Sequence, residues 1–362
     1  MAQISQITPF RISVPDADLD DLRARLARTR WPEAECVDDW SQGIPLAYTR
    51  ELADYWANDY DWRAREAALN RFDQYTTEID GLDIHFIHQR SKRDDAFPLV
   101  ITHGWPGSIV EFHKVIEPLT ERGFDVVCPS LPGYGFSGPT TDRGWDIPRT
   151  ARAWKELMAR LGYERYGAVG NDAGSMISPE LGRIDPHVIG VHVTQLFSFP
   201  SGDPAELADL AEDEQAAMAR LQWFWESMGA FNVLQSQQPQ TLAHALADSP
   251  TGLLGWNGQL MVGLDDEFVV ANVAVSWFTR TSGSSIRFYK EMTDSTEHPT
   301  GPTTTPTALA GSTNDFLSVR RFAHRDHANI VRWNVYDTPG HYAAHEATDV
   351  LVEDVDAFFR SL

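Results

Sequence analysis

The stretch YGAVGNDAG, residues 166–174, places an acidic residue between two closely spaced glycines, directly after a short apolar run. The spacing G-x-nucleophile-x-G is typical of a strand that turns sharply into a helix, because small flanking residues allow the tight turn. Asp172 is the central residue and is therefore predicted to project into a site near a helix N-terminus. A carboxylate attacks saturated carbon to form an ester, which indicates alkyl transfer. An Asp that only caps a helix is the alternative, and the glycines on both sides disfavour it.

On either side of this turn, short apolar runs alternate with stretches of helical period. Strands are predicted over residues 98–102, 125–128, 167–169, 188–193, 307–310 and 330–336, and helices are predicted to begin near Ser108, Ile147, Gly174 and Tyr342. Strands that alternate with helices favour an α/β fold, in which a mostly parallel sheet is covered by helices on both faces.

Two segments depart from this alternation. The first is mainly helical and rich in aromatic residues, and it ends in a hairpin signal at Asp80-Gly81. The second is helical without a strand pattern, as expected of a lid over the carboxyl ends of the strands. The predicted division is an N-terminal domain over residues 1–90, a core over 91–200 and 301–362, and a helical lid over 201–300.

Two further motifs fall at the ends of predicted strands. His103 begins HGWPGS, whose turn exposes backbone N–H groups that could hold an anion, and Ser108 with Glu111 has the spacing of a capping box. His341 lies in Gly-His-Tyr after the last predicted strand, where a general base would meet the residue on the turn. An ordinary loop and a histidine that caps a helix are the alternatives. The acid partner of the base is left open among Asp315, Asp326 and Asp337.

The composition excludes several classes of protein. The net charge is −22, which disfavours binding to nucleic acid. Two cysteines cannot make a disulfide framework, and neither a signal peptide nor a long apolar run is evident, so a cytoplasmic protein without membrane contact is predicted. Residues 133–138 spell G-x-G-x-x-G, but Pro139 follows in place of a helix. His341 and His345 lack the H-E-x-x-H pattern of zinc enzymes, and neither a metal nor an organic cofactor is expected.

Taken together, these motifs resemble the microsomal-like epoxide hydrolases of the α/β-hydrolase fold, including the soluble bacterial members of that group. The resemblance runs nearly from end to end. It rests on ITPFRISVPDADLDDLRARLARTRWPE (7–33), HGWPGSIVEF (103–112), PSLPGYGFSGP (129–139), QQPQTLAHALADSPTGLLGW (237–256), SGSSIRFYKE (282–291) and GHYAAHEATDVLVEDV (340–355).

The resemblance implies a mechanism and a role for individual residues. Asp172 matches the nucleophile, His341 the base, Asp315 its acid partner, and Tyr289 one of two lid tyrosines that bind the epoxide oxygen. Phe231 stands where the second tyrosine is expected, which removes one hydrogen-bond donor. The oxyanion hole is assigned to the backbone N–H groups of Trp105 and Ala173, and substrate contacts are assigned to His103, Pro106 and Phe231.

The expected reaction opens a bulky, apolar epoxide to a vicinal diol, with water as co-substrate, and a homodimer is consistent with the resemblance. A haloalkane dehalogenase that uses the same Asp–His–acid chemistry is the nearest alternative, but Tyr289 and the N-terminal segment favour the epoxide. A binding module on an inactive scaffold is the alternative of another class. The intact set of Asp172, His341 and Asp315 disfavours it.

Overall fold

The computed structural model describes residues 6–362, and nine strands of this range form one sheet in the order β1-β2-β3-β5-β4-β6-β7-β8-β9. The first three strands and β5 pair antiparallel, whereas the strands from β5 through β4 to β9 pair parallel. The strands are β1 Thr8–Phe10, β2 Gln74–Ile79, β3 Leu82–Gln89, β4 Phe97–Thr102, β5 Phe124–Pro129, β6 Tyr166–Gly170, β7 Val188–Val193, β8 Thr307–Ser312 and β9 Ile330–Tyr336.

Helices flank the sheet and fill the long connection between β7 and β8. They are α1 Asp16–Leu26, α2 Leu46–Asn58, α3 Trp62–Leu69, α4 Ile116–Glu121, α5 Ile147–Arg160, α6 Ala173–Ile184, α7 Glu212–Ser227, α8 Ala230–Gln237, α9 Pro239–Asp248, α10 Pro250–Gly258, α11 Asp266–Phe278, α12 Ser282–Asp294, α13 Arg320–Asp326, α14 Ala343–Glu346 and α15 Thr348–Phe359. Within residues 6–362, none of them has the length and apolar character needed to cross a bilayer.

The predicted α/β fold with a mostly parallel sheet is confirmed, and the predicted strands agree with β4 to β9 to within two residues at each end. The hairpin signal is confirmed as well, since Ile79 of β2 pairs with Leu82 of β3. Asp80 and Gly81 between them both have positive φ, 52° and 79°, which is the backbone that a two-residue turn between twisted strands requires.

The parallel strands bring the motifs to one edge of the sheet. The carboxyl ends of adjacent parallel strands point the same way, so the loops after β4, β6, β7, β8 and β9 meet there. These loops contain the HGWP turn, the Asp172 turn, Gln195, Asp315 and His341 respectively.

The N-terminal helices pack against the helices between β7 and β8. Arg65 of α3 makes an ion pair with Glu267 of α11, with Nη2 and Oε1 2.5 Å apart. The rings of Trp62 and Phe278 lie 4.7 Å apart between the same two helices. The division at residues 90, 200 and 300 stays a prediction.

Candidate active site

Asp172 lies at the tight turn between β6 and α6, with φ 52° and ψ −120°. A residue other than glycine is strained in this region of φ, at a cost of roughly 1–3 kcal/mol, so the surrounding structure must hold it there. The flanking glycines permit the turn, because a Cβ at Gly170 would lie 2.0 Å from the carbonyl oxygen of Gly174. A Cβ at Gly174 would in turn lie 1.9 Å from the carbonyl oxygen of Thr102 on β4.

The carboxyl group of Asp172 accepts hydrogen bonds from two backbone N–H groups. The N–H of Trp105 donates to Oδ1 at 3.0 Å, and the N–H of Ala173 donates to the same carboxyl group. Gly104 leaves the space for this contact, because a Cβ there would lie only 2.0 Å from Oδ1. The carboxyl group therefore faces two backbone donors, and the N–H of Trp105 is the one that meets Oδ1.

His341 lies on the other side of the carboxyl group. Its Nε2 is 3.7 Å from Oδ2 of Asp172, and its Nδ1 donates to Oδ1 of Asp315 at 3.0 Å. The other two acidic candidates have different partners. Asp326 pairs with Arg325, and Asp337 accepts from Thr313. Of the three acidic residues that the sequence left open as partners of His341, Asp315 is therefore the one that contacts the ring.

Opposing charges decide the pKa of His341. Burial favours the neutral imidazole, but Asp315, Asp172 and Glu111 outweigh it and raise the pKa to about 10. Burial raises the pKa of Asp172 above its usual value, although His341 and the backbone donors oppose the rise. Burial acts in the same sense on Asp315, yet its contacts with His341 and Gln195 leave its pKa lowered. The carboxylates of Asp315 and Asp172 on either side of the ring thus favour the imidazolium.

Three aromatic rings form a cluster between the HGWP turn and the lid. Phe231 of α8 stacks on Trp105, with ring centroids 5.4 Å apart. Tyr289 of α12 meets both rings edge-on, at 5.8 Å from Trp105 and 5.9 Å from Phe231. Burial and, to a smaller extent, the negative charge of Asp172 raise the pKa of Tyr289 well above its usual value, so its hydroxyl keeps its proton. Phe231 thus lies beside Tyr289 but offers no hydroxyl.

His103 has backbone partners at both ring nitrogens. The side chain is fully buried, its Nδ1 donates to the carbonyl of Gly104 at 3.0 Å, and its Nε2 accepts from the N–H of Leu131 at 3.2 Å. The expected substrate contact of His103 stays a prediction. Pro106 lines a small pocket between the HGWP turn and the helices α10 and α11.

The predicted capping box is wrong. Ser108 accepts from the N–H of Val110 and begins a single turn of 3-10 helix, Ile109–Phe112. Glu111 turns away from Ser108, and its Oε1 accepts from Nδ2 of Asn171 at 2.7 Å. Its Oε2 is buried without a partner among the described residues, and burial raises the pKa of Glu111 to about 8. Such a carboxyl group is expected to be protonated at neutral pH.

The sequence analysis missed Gln195, whose side chain connects the backbone of Asp172 with the carboxyl group of Asp315. Its Oε1 accepts from the backbone N–H of Asp172 at 2.9 Å, and its Nε2 donates to Oδ2 of Asp315 at 2.5 Å. Its position could have indicated a role in the site, because Gln195 is a polar residue just after the buried strand β7 and the loops at that edge of the sheet contain the other site residues. Within residues 6–362, no cluster of His, Cys, Asp and Glu side chains could hold a metal ion.

Comparisons with known proteins agree with this geometry. The family described as "Epoxide hydrolase N terminus" matches residues 7–112, and the family described as "alpha/beta hydrolase fold" matches residues 98–348. A protein of Stigmatella aurantiaca whose name assigns it provisionally to the epoxide hydrolases is 40% identical over 98% of this chain and 85% of its own length. Epoxide hydrolase 1 of Sus scrofa is 29% identical over the whole chain and 90% of its own length.

Solved structures give the same result. The structure of Aspergillus niger epoxide hydrolase superposes with a TM-score of 0.88 at 30% identity and covers 98% of this chain and 96% of its own. The juvenile hormone epoxide hydrolase from the silkworm Bombyx mori superposes with a TM-score of 0.89 at 26% identity, covering 98% and 94%.

Proposed function

The chain belongs to the epoxide hydrolase family of the α/β-hydrolase fold, and we propose that it opens its epoxide through a covalent ester on Asp172. The substrate is a small-molecule epoxide, and water is the second reactant. The observation that carries the proposal is the unequal setting of the two carboxyl oxygens of Asp172. Oδ1 accepts from the backbone N–H of Trp105 at 3.0 Å, whereas Oδ2 faces the imidazole of His341 at 3.7 Å.

In the first half of the reaction, Oδ2 of Asp172 attacks an epoxide carbon and the bond between that carbon and the epoxide oxygen breaks. Tyr289 donates its hydroxyl hydrogen to the departing oxygen, which would otherwise become a strongly basic alkoxide. General acid assistance of this kind contributes typically about 10²–10⁴-fold in rate. The raised pKa of Tyr289 keeps the hydroxyl protonated before the reaction.

Formation of the ester changes the chemistry of His341. In the resting site, Asp172 and Asp315 both stabilise the imidazolium and keep its pKa near 10. Esterification removes the charge of Asp172, so the pKa of His341 falls and the ring releases a proton. The released proton restores Tyr289, which gave its own proton to the departing epoxide oxygen. The alkylation step therefore turns His341 into a base.

In the second half, neutral His341 takes a proton from water, and the water oxygen attacks Cγ of Asp172. The negative charge then develops on Oδ1, where the N–H groups of Trp105 and Ala173 already lie. Removing one such donor from an oxyanion hole typically costs about 2.7–4 kcal/mol. The bond from Cγ to the ester oxygen breaks, and the departing oxygen takes the remaining water proton from the hydroxyl of the tetrahedral intermediate. The diol leaves, Asp172 is again a carboxylate with one oxygen from water, and His341 is again an imidazolium.

A single turnover in ¹⁸O-labelled water tests this route. The label is expected in the carboxyl group of Asp172 before it reaches the diol, because the first diol oxygen comes from the enzyme. Label that enters only the diol would refute the ester. Asp172→Ala should abolish turnover, and Asp337→Ala, at an exposed acid outside the site, should leave it unchanged. Chloride release from haloalkanes without diol formation from epoxides would favour the dehalogenase.

Finer properties of the protein are inferred from the same site. The rings of Trp105, Phe231 and Tyr289 suit a bulky, apolar epoxide, which a panel of epoxides of graded size would test. The unpaired thiols of Cys36 and Cys128 suit a reducing compartment such as the cytoplasm. No cofactor is needed for the chemistry. A homodimer is expected from the family, and sedimentation would test it.

A further inference from the structure

Gln195 lies between the nucleophile and the acid for a topological reason. Asp172 follows β6 and Asp315 follows β8, and β7 is the strand that separates them in the sheet. Gln195 comes two residues after the end of β7 and is fully buried. The middle strand thus places one amide within reach of both reacting partners of His341.

The amide oxygen accepts from the backbone N–H of Asp172 and from the hydroxyls of Ser175 and Thr194, and the amide nitrogen donates to Asp315 and Asn171. The backbone N–H of Asp172 can only donate, so the atom that faces it at 2.9 Å must be the amide oxygen. The carboxylate of Asp315 can only accept, so the atom that faces Oδ2 at 2.5 Å must be the amide nitrogen. The second N–H reaches Oδ1 of Asn171 at 2.8 Å. Reversing the amide would oppose donor to donor and acceptor to acceptor, and its orientation is therefore fixed.

The two contacts act on different parts of the site. Oε1 supports the main chain of Asp172, whose φ of 52° is strained. Nε2 occupies Oδ2 of Asp315 and leaves Oδ1 for the Nδ1–H group of His341. Loss of the first contact would let the nucleophile shift, and loss of the second would let the acid rotate away from the imidazole.

We propose that Gln195 is a positioning residue. Its side-chain amide, held in one orientation, fixes the turn that carries Asp172 relative to the carboxyl group of Asp315. The inference rests on the proposed function, since it assigns Asp172 and Asp315 their roles. Gln195 itself touches neither substrate nor the reacting oxygen of Asp172. It acts through the backbone N–H on one side and through the carboxylate on the other.

Gln195→Leu removes the contacts with Asp172 and Asp315 at similar volume, together with the hydrogen bonds to Asn171, Ser175 and Thr194. Misplacing a reacting group by about 1 Å can cost about 10²-fold in rate, so we expect both ester formation and ester breakdown to slow by roughly 10–100-fold. Stopped-flow tryptophan fluorescence in single turnovers would follow the first step, and quenched-flow mass spectrometry would follow the ester on Asp172. Gln74→Leu, at a buried glutamine of β2 that binds His85, should lose stability but keep both rates.

Gln195→Glu separates positioning from packing. Its carboxyl group, when protonated, can still accept from the N–H of Asp172 and donate to Asp315. When ionised, it loses the donor and repels Asp315. We expect ester breakdown within about threefold of wild type at the acidic end of the pH range, with a loss of roughly tenfold or more as the introduced group ionises. We expect the rate of ester breakdown in wild type to show no such loss over the same pH range.

The outcomes distinguish the claims. If Gln195→Leu keeps both rates within about threefold of wild type, or if the pH profile of Gln195→Glu runs parallel to that of wild type, the positioning role is refuted. Should Gln195→Leu fail to fold, the Gln195→Glu profile alone decides. If wild type itself forms no ester on Asp172, the proposed function fails instead.

Discussion

Replacing Asp172 with Asn should lower the pKa of His341 towards neutrality without any substrate present, and so favour the basic form of the ring. The variant keeps the shape of the side chain but removes the charge that faces Nε2 at 3.7 Å. It therefore reproduces the electrostatic state of the ester. This prediction isolates the step on which the proposed second half-reaction depends.

The size of the effect follows from the distance. Two unit charges 3.7 Å apart interact by about 4–5 kcal/mol at an effective dielectric constant of about 20. The carboxylate shares its charge over two oxygens and Oδ1 is farther from the ring, so the expected loss is about 2–4 kcal/mol. At 1.36 kcal/mol per unit, the pKa of His341 should fall by roughly 1.5–3 units from its starting value of about 10.

The measurement is an NMR titration of the ring carbon protons of His341 in protein labelled at histidine, with His341→Gln to assign the resonance. Asp337→Asn, at an exposed acid outside the site, should leave the midpoint unchanged. Mass spectrometry must show that the amide of Asp172→Asn survives, because a neighbouring base could hydrolyse it. A midpoint within about 0.5 unit of wild type would mean that Asp172 does not control the protonation of His341, and the proposed switch would be refuted.

Three other substitutions test separate parts of the site. Glu111→Gln should stabilise the fold at alkaline pH. The pKa of Glu111 in the folded protein, about 8, lies above its value in the unfolded chain, so the free energy of unfolding of wild type falls as pH rises towards 8, by up to about 1.4 kcal/mol per pH unit. Urea unfolding from pH 5 to 9 should therefore show a flatter profile in the variant. Gly104→Ala should slow ester formation by roughly 10²-fold or more, because the new Cβ would overlap Oδ1 of Asp172; circular dichroism checks the fold, and an unchanged rate would contradict the close packing. Phe231→Tyr should restore a second donor beside Tyr289 and speed ester formation by about tenfold or more, with ester breakdown unchanged in the same single-turnover traces; a slower first step would show that the hydroxyl points elsewhere.

Much of the fold could be predicted from the sequence because its signals are local. The Asp80-Gly81 turn requires positive φ at both residues, and only a few residue types adopt it readily. The glycines around Asp172 are required because a Cβ at Gly170 or Gly174 would lie within 2.0 Å of a neighbouring backbone oxygen. Buried parallel strands are short apolar runs, so β7 and β9 have the bounds that their composition indicates.

The parts that could not be predicted depend on contacts distant in sequence. Glu111 has the spacing of a capping box, but Asn171, 60 residues away, offers a hydrogen bond that a buried carboxyl group needs more. His103 follows a strand at the active edge, yet the N–H of Leu131 takes its free nitrogen. The raised pKa of His341 could not be predicted either, because it depends on two acidic residues that approach the same ring only in the folded chain. Each outcome was decided by tertiary structure, which local patterns do not report.

The N-terminal helices are attached at two places to the helices between β7 and β8. Arg25 of α1 binds Asp248 of α9 at 3.1 Å, and Arg65 and Trp62 of α3 contact Glu267 and Phe278 of α11. We therefore expect substitutions in α1 or α3 to alter the packing of α9 and α11 rather than the reacting groups at the carboxyl edge of the sheet.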